Sequence, residues 1–418
     1  MMNLQKELFA DLHIHSRFSR ACSKDLNLAN LVKWARIKGI GLLGTGDFTH
    51  PEWLKELKEN LKEENGIFWY FDSDGEFPFI LSSEISLVYT DSNKGRRVHL
   101  VYLAPSFEAV DKINLFLDKK GRRDYDGRPI FNISCRDFAA EMENIDDKIE
   151  IIPAHAWTPW FGIFGSKGGY DSLGEAFKDK IYRIHAIETG ISSDPAMNWK
   201  IKELAEKNIS IVSFSDLHSY WPWRLGREAT IFNLEEGKKL SYDLILEQIR
   251  ENNFSGTIET DPAYGKYHYD GHANCGFSFP PSETKKIKGI CPICKKPLTI
   301  GVDYRVEELS SLGIADYFGK KKYYTILPLH EIISLALGIG VSSKGCWNVY
   351  NPLIEKFGNE FEILLRVPRE KIAEAVKNEL LVDLIIRNRS GDINVKPGYD
   401  GVYGVPLIGK IEKQGKLF

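Results

Sequence analysis

Eight residues between His13 and His218 have side chains of the types that bind divalent cations: His13, His15, Asp47, Glu84, His99, His155, Asp216 and His218. The densest stretch is Ala10-Asp11-Leu12-His13-Ile14-His15. Side chains two apart on an extended strand point the same way, so His13 and His15 can reach one cation together. Two imidazoles do not complete a site. The other six residues follow short apolar runs, where the ends of buried strands are expected. Mixed imidazole and carboxylate donors suit Zn, Mn or Fe. Cations held this way lower the pKa of a bound water to near 7 and stabilise both oxygens of a displacement at phosphorus, so no side-chain nucleophile is needed. No Walker-type glycine loop accompanies them.

A second set of donors lies further on, in His272-Ala-Asn-Cys275 and Cys291-Pro-Ile-Cys294. Thiolates on a Pro-containing turn, with another Cys and a His upstream, match a closed tetrahedral Zn site that replaces a hydrophobic core. His268 competes with His272 for the nitrogen position. A redox role fits less well, because this Cys-x-x-Cys does not sit between a strand and a helix. Lys285, Lys286, Lys288, Lys295 and Lys296 surround the turn, either as a solvated face or as phosphate contacts.

The elements that must position these groups can be read from the pattern of apolar residues. Leu28, Leu31, Val32 and Ala35 recur at helical spacing before Gly39, which predicts a helix over 27–38. Residues 40–45 then form a strand ending at Asp47, and similar strands lead to Glu84, His99, His155, Glu188 and Asp216. Strands alternating with helices, with reactive residues at the strand ends, predict a parallel barrel or a doubly wound sheet with its site on the carboxyl face. Two loops stand out. Residues 153–170 carry Trp157, Trp160 and Phe161, which are either a hydrophobic cap or exposed rings for stacking on bases. Residues 188–199 carry Ser192, Ser193 and Asn198, which line a base pocket or cap a helix near Asp194. Beyond residue 303 the pattern is helical, with Leu329–Leu337, 352–357, Glu360–Leu365 and 368–387 predicted. Basic and glycine-rich loops around Arg387, Arg389 and 396–404 follow. The organisation expected is 1–258, 259–302 and 303–418.

At 418 residues, 43% hydrophobic and 27% charged, the composition is that of a globular protein of two or three domains. Six cysteines with one close pair exclude a disulfide framework. No run approaches the roughly 18 apolar residues that span a bilayer, and no basic-then-apolar leader is present, so a cytoplasmic protein without a membrane partner is expected. The net charge is −3, but from Pro262 onward 22 Lys plus Arg stand against 17 Asp plus Glu. Charge alone decides nothing about nucleic acid.

Together, Asp11-x-His13-x-His15, Thr45-Gly46-Asp47, Glu84, His99, His155 and Asp216-x-His218 resemble the motifs of the polymerase and histidinol phosphatase (PHP) superfamily over residues 8–230. The resemblance implies an α/β fold with a distorted (β/α)7 barrel that hydrolyses phosphoesters. It implies two or three divalent metals (Zn, Mg, Mn or Fe) on the eight residues above, with Asp47, His155 and Asp216 as the catalytic ones. Many relatives have Thr-Asp-His where this chain has Thr-Gly-Asp, so Asp47 stands in for a histidine ligand. His50 either compensates or is a surface or supporting histidine.

With the knuckle and a mainly α-helical C-terminal domain containing Pro397-Gly-Tyr-Asp-Gly401, the chain resembles the endonuclease Q family over nearly its whole length. That resemblance implies a DNA repair endonuclease cutting 5′ of deaminated bases (uracil, hypoxanthine, xanthine) and at abasic sites. DNA contacts are then expected from Trp157, Trp160, Phe161, Ser192, Ser193, Asn198, Lys295, Lys296, Arg387 and Arg389. The alternatives are a phosphomonoesterase of the histidinol phosphatase type, for which the residues beyond 258 are superfluous, and an inactive DNA-binding module. Gln414-Gly-Lys-Leu-Phe418 is either half of a sliding-clamp binding box or a frayed tail.

Overall fold

The strand Lys6–Asp11 buries Phe9, Ala10 and Asp11 and sits where a ring of strands begins and ends. In a computed structural model, which describes residues 6–234, 237–311 and 319–409, this strand runs parallel to Leu42–Gly44. Leu42–Gly44 runs parallel to the 17-residue strand Gly75–Asp91. Antiparallel pairings then lead to Lys94–Ala104 and on to Glu150–Pro153. A bond from Ala156 N–H to the Glu188 carbonyl passes the sequence to Ala186–Glu188, which is parallel to Ser210–Val212. The ring returns to its start where Asp216 N–H meets the His13 carbonyl at 2.9 Å and His15 N–H meets the Leu217 carbonyl at 3.2 Å.

The fold is a mixed α/β one, which differs from the parallel sheet expected. Gly75–Asp91 and Lys94–Ala104 form one hairpin whose two central turn residues, Ser92 and Asn93, have φ of 51° and 60°. Positive φ at both positions is the I′ geometry that matches strand twist, and a two-residue turn leaves no room for a crossover helix. On the far side of Lys6–Asp11, the sheet continues through the antiparallel strands Ala229–Leu234 and Gly256–Glu259. Its edge is Lys322–Thr325, a strand contributed from beyond the knuckle.

The first helix, Leu28–Lys38, follows its sequence signals closely. The Asn27 side chain accepts from Asn30 N–H, and Gly39 closes the helix at φ 96°. A Cβ on Gly39 would also lie 2.6 Å from Asn359 Oδ1, so the glycine permits close approach of the C-terminal helices. The same contact buries an ion pair: Lys38 Nζ lies 2.6 Å from Glu360 Oε1, with both side chains inaccessible to solvent.

Two helices in this region depart from expectation. The run 368–387 is broken into Arg369–Ala375 and Glu379–Arg389, because the Asn378 side chain caps the second by accepting from Leu381 N–H. The helix expected at 352–357 begins at Lys344, capped by Ser343, and holds Pro352 in its interior. Cys346, Tyr350 and Leu353 bury its inner face, and that packing outweighs the hydrogen bond the proline cannot make. Among the described residues, no helix is long and apolar enough to cross a membrane. Gln414–Phe418 lies outside the described residues.

Candidate metal centres

Seven of the eight predicted donors meet at one end of the strand ring, or border it. His13 Nε2, His15 Nε2, Glu84 Oε2 and Asp216 Oδ1 form one group. Glu84 Oε2 is 3.5 Å from His13 Nε2 and 3.2 Å from His15 Nε2, while Asp216 Oδ1 is 3.6 and 3.1 Å from the same atoms. Glu84 Oε1, His99 Nδ1 and His155 Nε2 form a second group, with separations of 2.8, 3.2 and 3.2 Å. Donors about 2.0–2.1 Å from a tetrahedral cation are about 3.3 Å from one another, which is the spacing found. Glu84 therefore offers one oxygen to each of two adjacent positions. His13 Nε2 is buried and has no hydrogen-bond partner, as a nitrogen reserved for a cation would be.

The backbone and the neighbouring charges serve this arrangement. Asp47, His155 and Asp216 have φ of 45°, 31° and 47°, a left-handed region that costs non-glycine residues energy and clusters at functional sites. Burial opposes ionisation of Glu84, but His99, Arg128 and His13 outweigh it and hold the carboxyl well below the usual range. Burial likewise opposes charge on Asp216, and His218 and His13 hold it well below the usual carboxylate range. Both carboxylates are ready to bind cations at neutral pH.

Asp47 is the principal correction. Its Oδ1 lies 2.9 Å from His15 Nδ1, and its Oδ2 accepts from Ser16 N–H at 2.6 Å, Ser16 Oγ at 2.7 Å and Ser19 Oγ at 2.9 Å. It stands behind His15, on the side away from both donor groups, and fixes which imidazole nitrogen faces the donor group. His50 lies in neither group and stacks on Phe18 at 4.3 Å between ring centroids. His218 borders the first group. Its Nδ1 is 3.0 Å from the Asp216 carbonyl, and its ring lies 4.8 Å from that of His15.

Two residues absent from the expected set belong to the site. Glu188 holds His13 Nδ1 at 2.9 and 3.0 Å with its two oxygens and accepts from His155 N–H at 2.6 Å. In the sequence it shows only as the end of a strand. Arg128 reaches Glu84 Oε2 at 3.0 Å with its guanidinium partly exposed, from a loop that shows no periodicity.

The aromatic and polar loops are more structural than expected. Trp157 is fully buried and donates its indole N–H to Asn198 Oδ1 at 2.7 Å. Asn198 Nδ2 binds Ser193 Oγ and the Asp194 carbonyl, and Ser193 Oγ donates to the Thr189 carbonyl. Trp157, Ser193 and Asn198 thus stitch two loops together and present nothing to a base; Ser192 is also buried. Phe161 stacks on His99 at 4.2 Å, covering one face of a candidate donor. Trp160 is partly exposed and meets Tyr267 edge-on at 5.4 Å. Arg389 spends its guanidinium on the carbonyls of Ile363, Leu364 and Val367, capping the helix Glu360–Leu365. Arg387 pairs with Asp392 and the Ile408 carbonyl. Lys295 and Lys296 are exposed.

The second donor set also converges. His272, Cys275, Cys291 and Cys294 bring one donor atom each within 4.8 Å of one another. His272 Nδ1 is 3.1 Å from Cys275 Sγ and 3.3 Å from Cys294 Sγ. His268 stacks on Tyr269 outside the group, which leaves the nitrogen position to His272. A short hairpin, Asp270–His272 with Phe277–Phe279, presents the first two donors. The turn between the last two is closed by a 2.9 Å bond from Lys295 N–H to the Cys291 carbonyl. Burial raises the Cys291 thiol, but the N–H groups of Cys294 and Ile293 bring it down to about 7, favouring the thiolate that metals bind.

Residues 328–392 match the family described as the MJ0043 C-terminal domain. The uncharacterized protein MJ0043 of Methanocaldococcus jannaschii is 30% identical over 68% of this chain, and the chain spans only 34% of its length. Two solved structures match from end to end. The lesion-specific endonuclease PfuEndoQ from Pyrococcus furiosus is 31% identical with a TM-score of 0.83, covering 97% of this chain and 96% of that one. Endonuclease Q in complex with a 27-mer duplex bearing an abasic lesion at the active site is 31% identical with a TM-score of 0.85, covering 97% of each chain. Similarity over the complete length at this identity, together with the donor groups described above, makes this chain a member of the endonuclease Q family of metal-dependent nucleases.

Proposed function

We propose that the protein is a DNA repair endonuclease that hydrolyses the phosphodiester on the 5′ side of uracil, hypoxanthine, xanthine and abasic sites. The observation that carries this reading is Glu84 shared between two donor groups, in a chain that matches a lesion-specific endonuclease along its whole length. In this reading residues 1–258 form the distorted PHP barrel, 259–302 a zinc module and 303–418 a helical DNA-binding domain. Zn occupies the His272, Cys275, Cys291 and Cys294 site, and two or three divalent cations (Zn, Mg, Mn or Fe) occupy the active site.

His13, His15, Glu84, His99, His155 and Asp216 would hold the divalent cations, which would activate water near neutral pH and offset charge on the phosphate. The chain's own residues do the rest. Glu188 orients His13, Asp47 orients His15, and Arg128 brings a fixed positive charge beside Glu84 where the phosphate arrives. A damaged base must leave the stack to be judged, and deaminated or missing bases cost less to unpair, which supports selection at that step.

The test is incubation with labelled duplexes carrying one uracil, one hypoxanthine, one abasic site or none, with Mg or Mn, beside a phosphomonoester. Nicking 5′ of the lesion, abolished by His13→Ala and by Asp216→Ala, is the result expected. Hydrolysis of the monoester alone would remove the DNA assignment.

A further inference from the structure

We propose that the tip of the knuckle is an apolar wedge that enters a base step of duplex DNA from the minor groove, near the lesion; this rests on the nuclease reading above. The turn Cys291-Pro-Ile-Cys294 faces its thiols inward and its apolar residues outward. Ile293 is 62% exposed, Ile290 is 38% exposed, and Pro292 is exposed between them. Together they form one contiguous apolar tip, and an apolar patch rimmed by polar residues marks an interaction site.

The surroundings specify a polyanion as the cover. From Lys285 to Lys296 the chain holds five lysines and no acidic residue. Lys285 pairs with Glu307 and Lys286 with Glu283, but Lys288, Lys295 and Lys296 meet no carboxylate among the described residues. Lys295 Nζ donates to the Pro292 carbonyl at 2.9 Å, which holds its charge at the tip. Apolar residues rimmed by lysines without acidic partners are how minor-groove binders separate a base step while holding the phosphates on either side.

The tip is also stiff and tied to the active site. Cys291 N–H bonds the Lys296 carbonyl at 2.8 Å, and Leu298 N–H bonds the Gly289 carbonyl at 2.8 Å, so the turn cannot fold its isoleucines away cheaply. Ser166 Oγ donates to the Ile300 carbonyl, and Arg305 donates to the carbonyls of Phe164 and Tyr170. Those partners belong to the loop that begins at His155. A wedge on this mount is held at a fixed offset from the cations, where unstacking one step helps turn the neighbouring lesion out.

The experiment uses the full chain with Asp216→Ala, which keeps the DNA intact, and a duplex carrying one tetrahydrofuran abasic analogue. 2-Aminopurine, whose fluorescence rises when it is unstacked, is placed in turn at each position flanking the analogue. A rise confined to one step, lost with Ile293→Ala, is expected. Lys295→Ala and Lys296→Ala should each lower the salt slope of binding by about 1 while the rise persists at saturation. Ile293→Ala should still release its zinc equivalent to a thiol reagent, which shows that the knuckle is intact. A rise unchanged by Ile293→Ala, or no rise at any position, would overturn the wedge. Nicking of lesion duplexes by the unsubstituted chain is scored separately, so loss of the nuclease reading and loss of the wedge are distinguishable.

Discussion

Asp47→Asn separates a cation ligand from a residue that orients one. The substitution keeps the shape of the side chain and removes its charge. In the native chain Oδ1 faces His15 Nδ1 at 2.9 Å and Oδ2 accepts from Ser16 N–H at 2.6 Å and from two hydroxyls. An asparagine with its oxygen toward His15 turns its NH2 on Ser16. The two hydroxyls can rotate to accept, but the main-chain N–H cannot, and a buried donor without a partner costs about 1–3 kcal/mol. With the amide reversed, its NH2 faces His15 Nδ1 and forces the proton to Nε2, the nitrogen that belongs to the donor group. Loss of such an orienting partner lowers metal affinity about 10–100-fold, or about 1.4–2.7 kcal/mol. Urea denaturation of the metal-free chain should show the first cost. Calorimetric titration with Mn should show the second, with the number of cations at saturation unchanged. A saturating count lower by one would make Asp47 a ligand, and affinity equal to that of the unsubstituted chain would make it a bystander; either refutes the reasoning.

Glu188→Gln leaves one oxygen for two donors, His13 Nδ1 and His155 N–H, so metal affinity should fall about 10–100-fold with the fold retained by circular dichroism. Glu259 is buried among the hydroxyls of Thr189, Ser213 and Thr257, and burial raises its pKa from 4.5 to about 8. The stability it contributes is therefore complete below about 4.5 and is lost as pH rises through about 8, by on the order of 1.4 kcal/mol per unit in that window. Glu259→Gln should flatten this part of the stability profile in urea titrations from pH 5 to 9 (about the same window), and an unchanged slope would assign the dependence elsewhere. Lys38→Met strands the Glu360 carboxylate and should cost about 3–5 kcal/mol in urea denaturation, with much of it recovered by adding Glu360→Gln. Loss without recovery would mean that packing, and not the unpaired charge, is responsible.

The donors that could be read from the sequence are those whose direction follows from a repeating backbone. His13 and His15 share a side because extended residues alternate, and Glu84 and His99 lie on the two long strands of one hairpin. Asp47 could not be placed this way. It follows Gly46 at φ 64° and itself has φ 45°, so the chain reverses there, and alternation says nothing about where the carboxylate goes. Its destination is set by Ser16 and Ser19, some thirty residues earlier in the chain. Glu188 and Arg128 escaped for a related reason: each acts through a partner distant in sequence, Glu188 on His13 and Arg128 on Glu84. The aromatic loop after His155 shows the opposite error. Tryptophans beside a hydrolytic site suggest stacking on bases, yet Trp157 finds a buried acceptor in Asn198 and contributes more as core than as surface. Of the residues proposed to meet DNA, those that stay exposed are Trp160 in part, Lys295 and Lys296, with the isoleucines of the knuckle beside them. Residue type alone is a poor guide at these loops, because Trp157 and Arg389 spend their polar groups inside the chain.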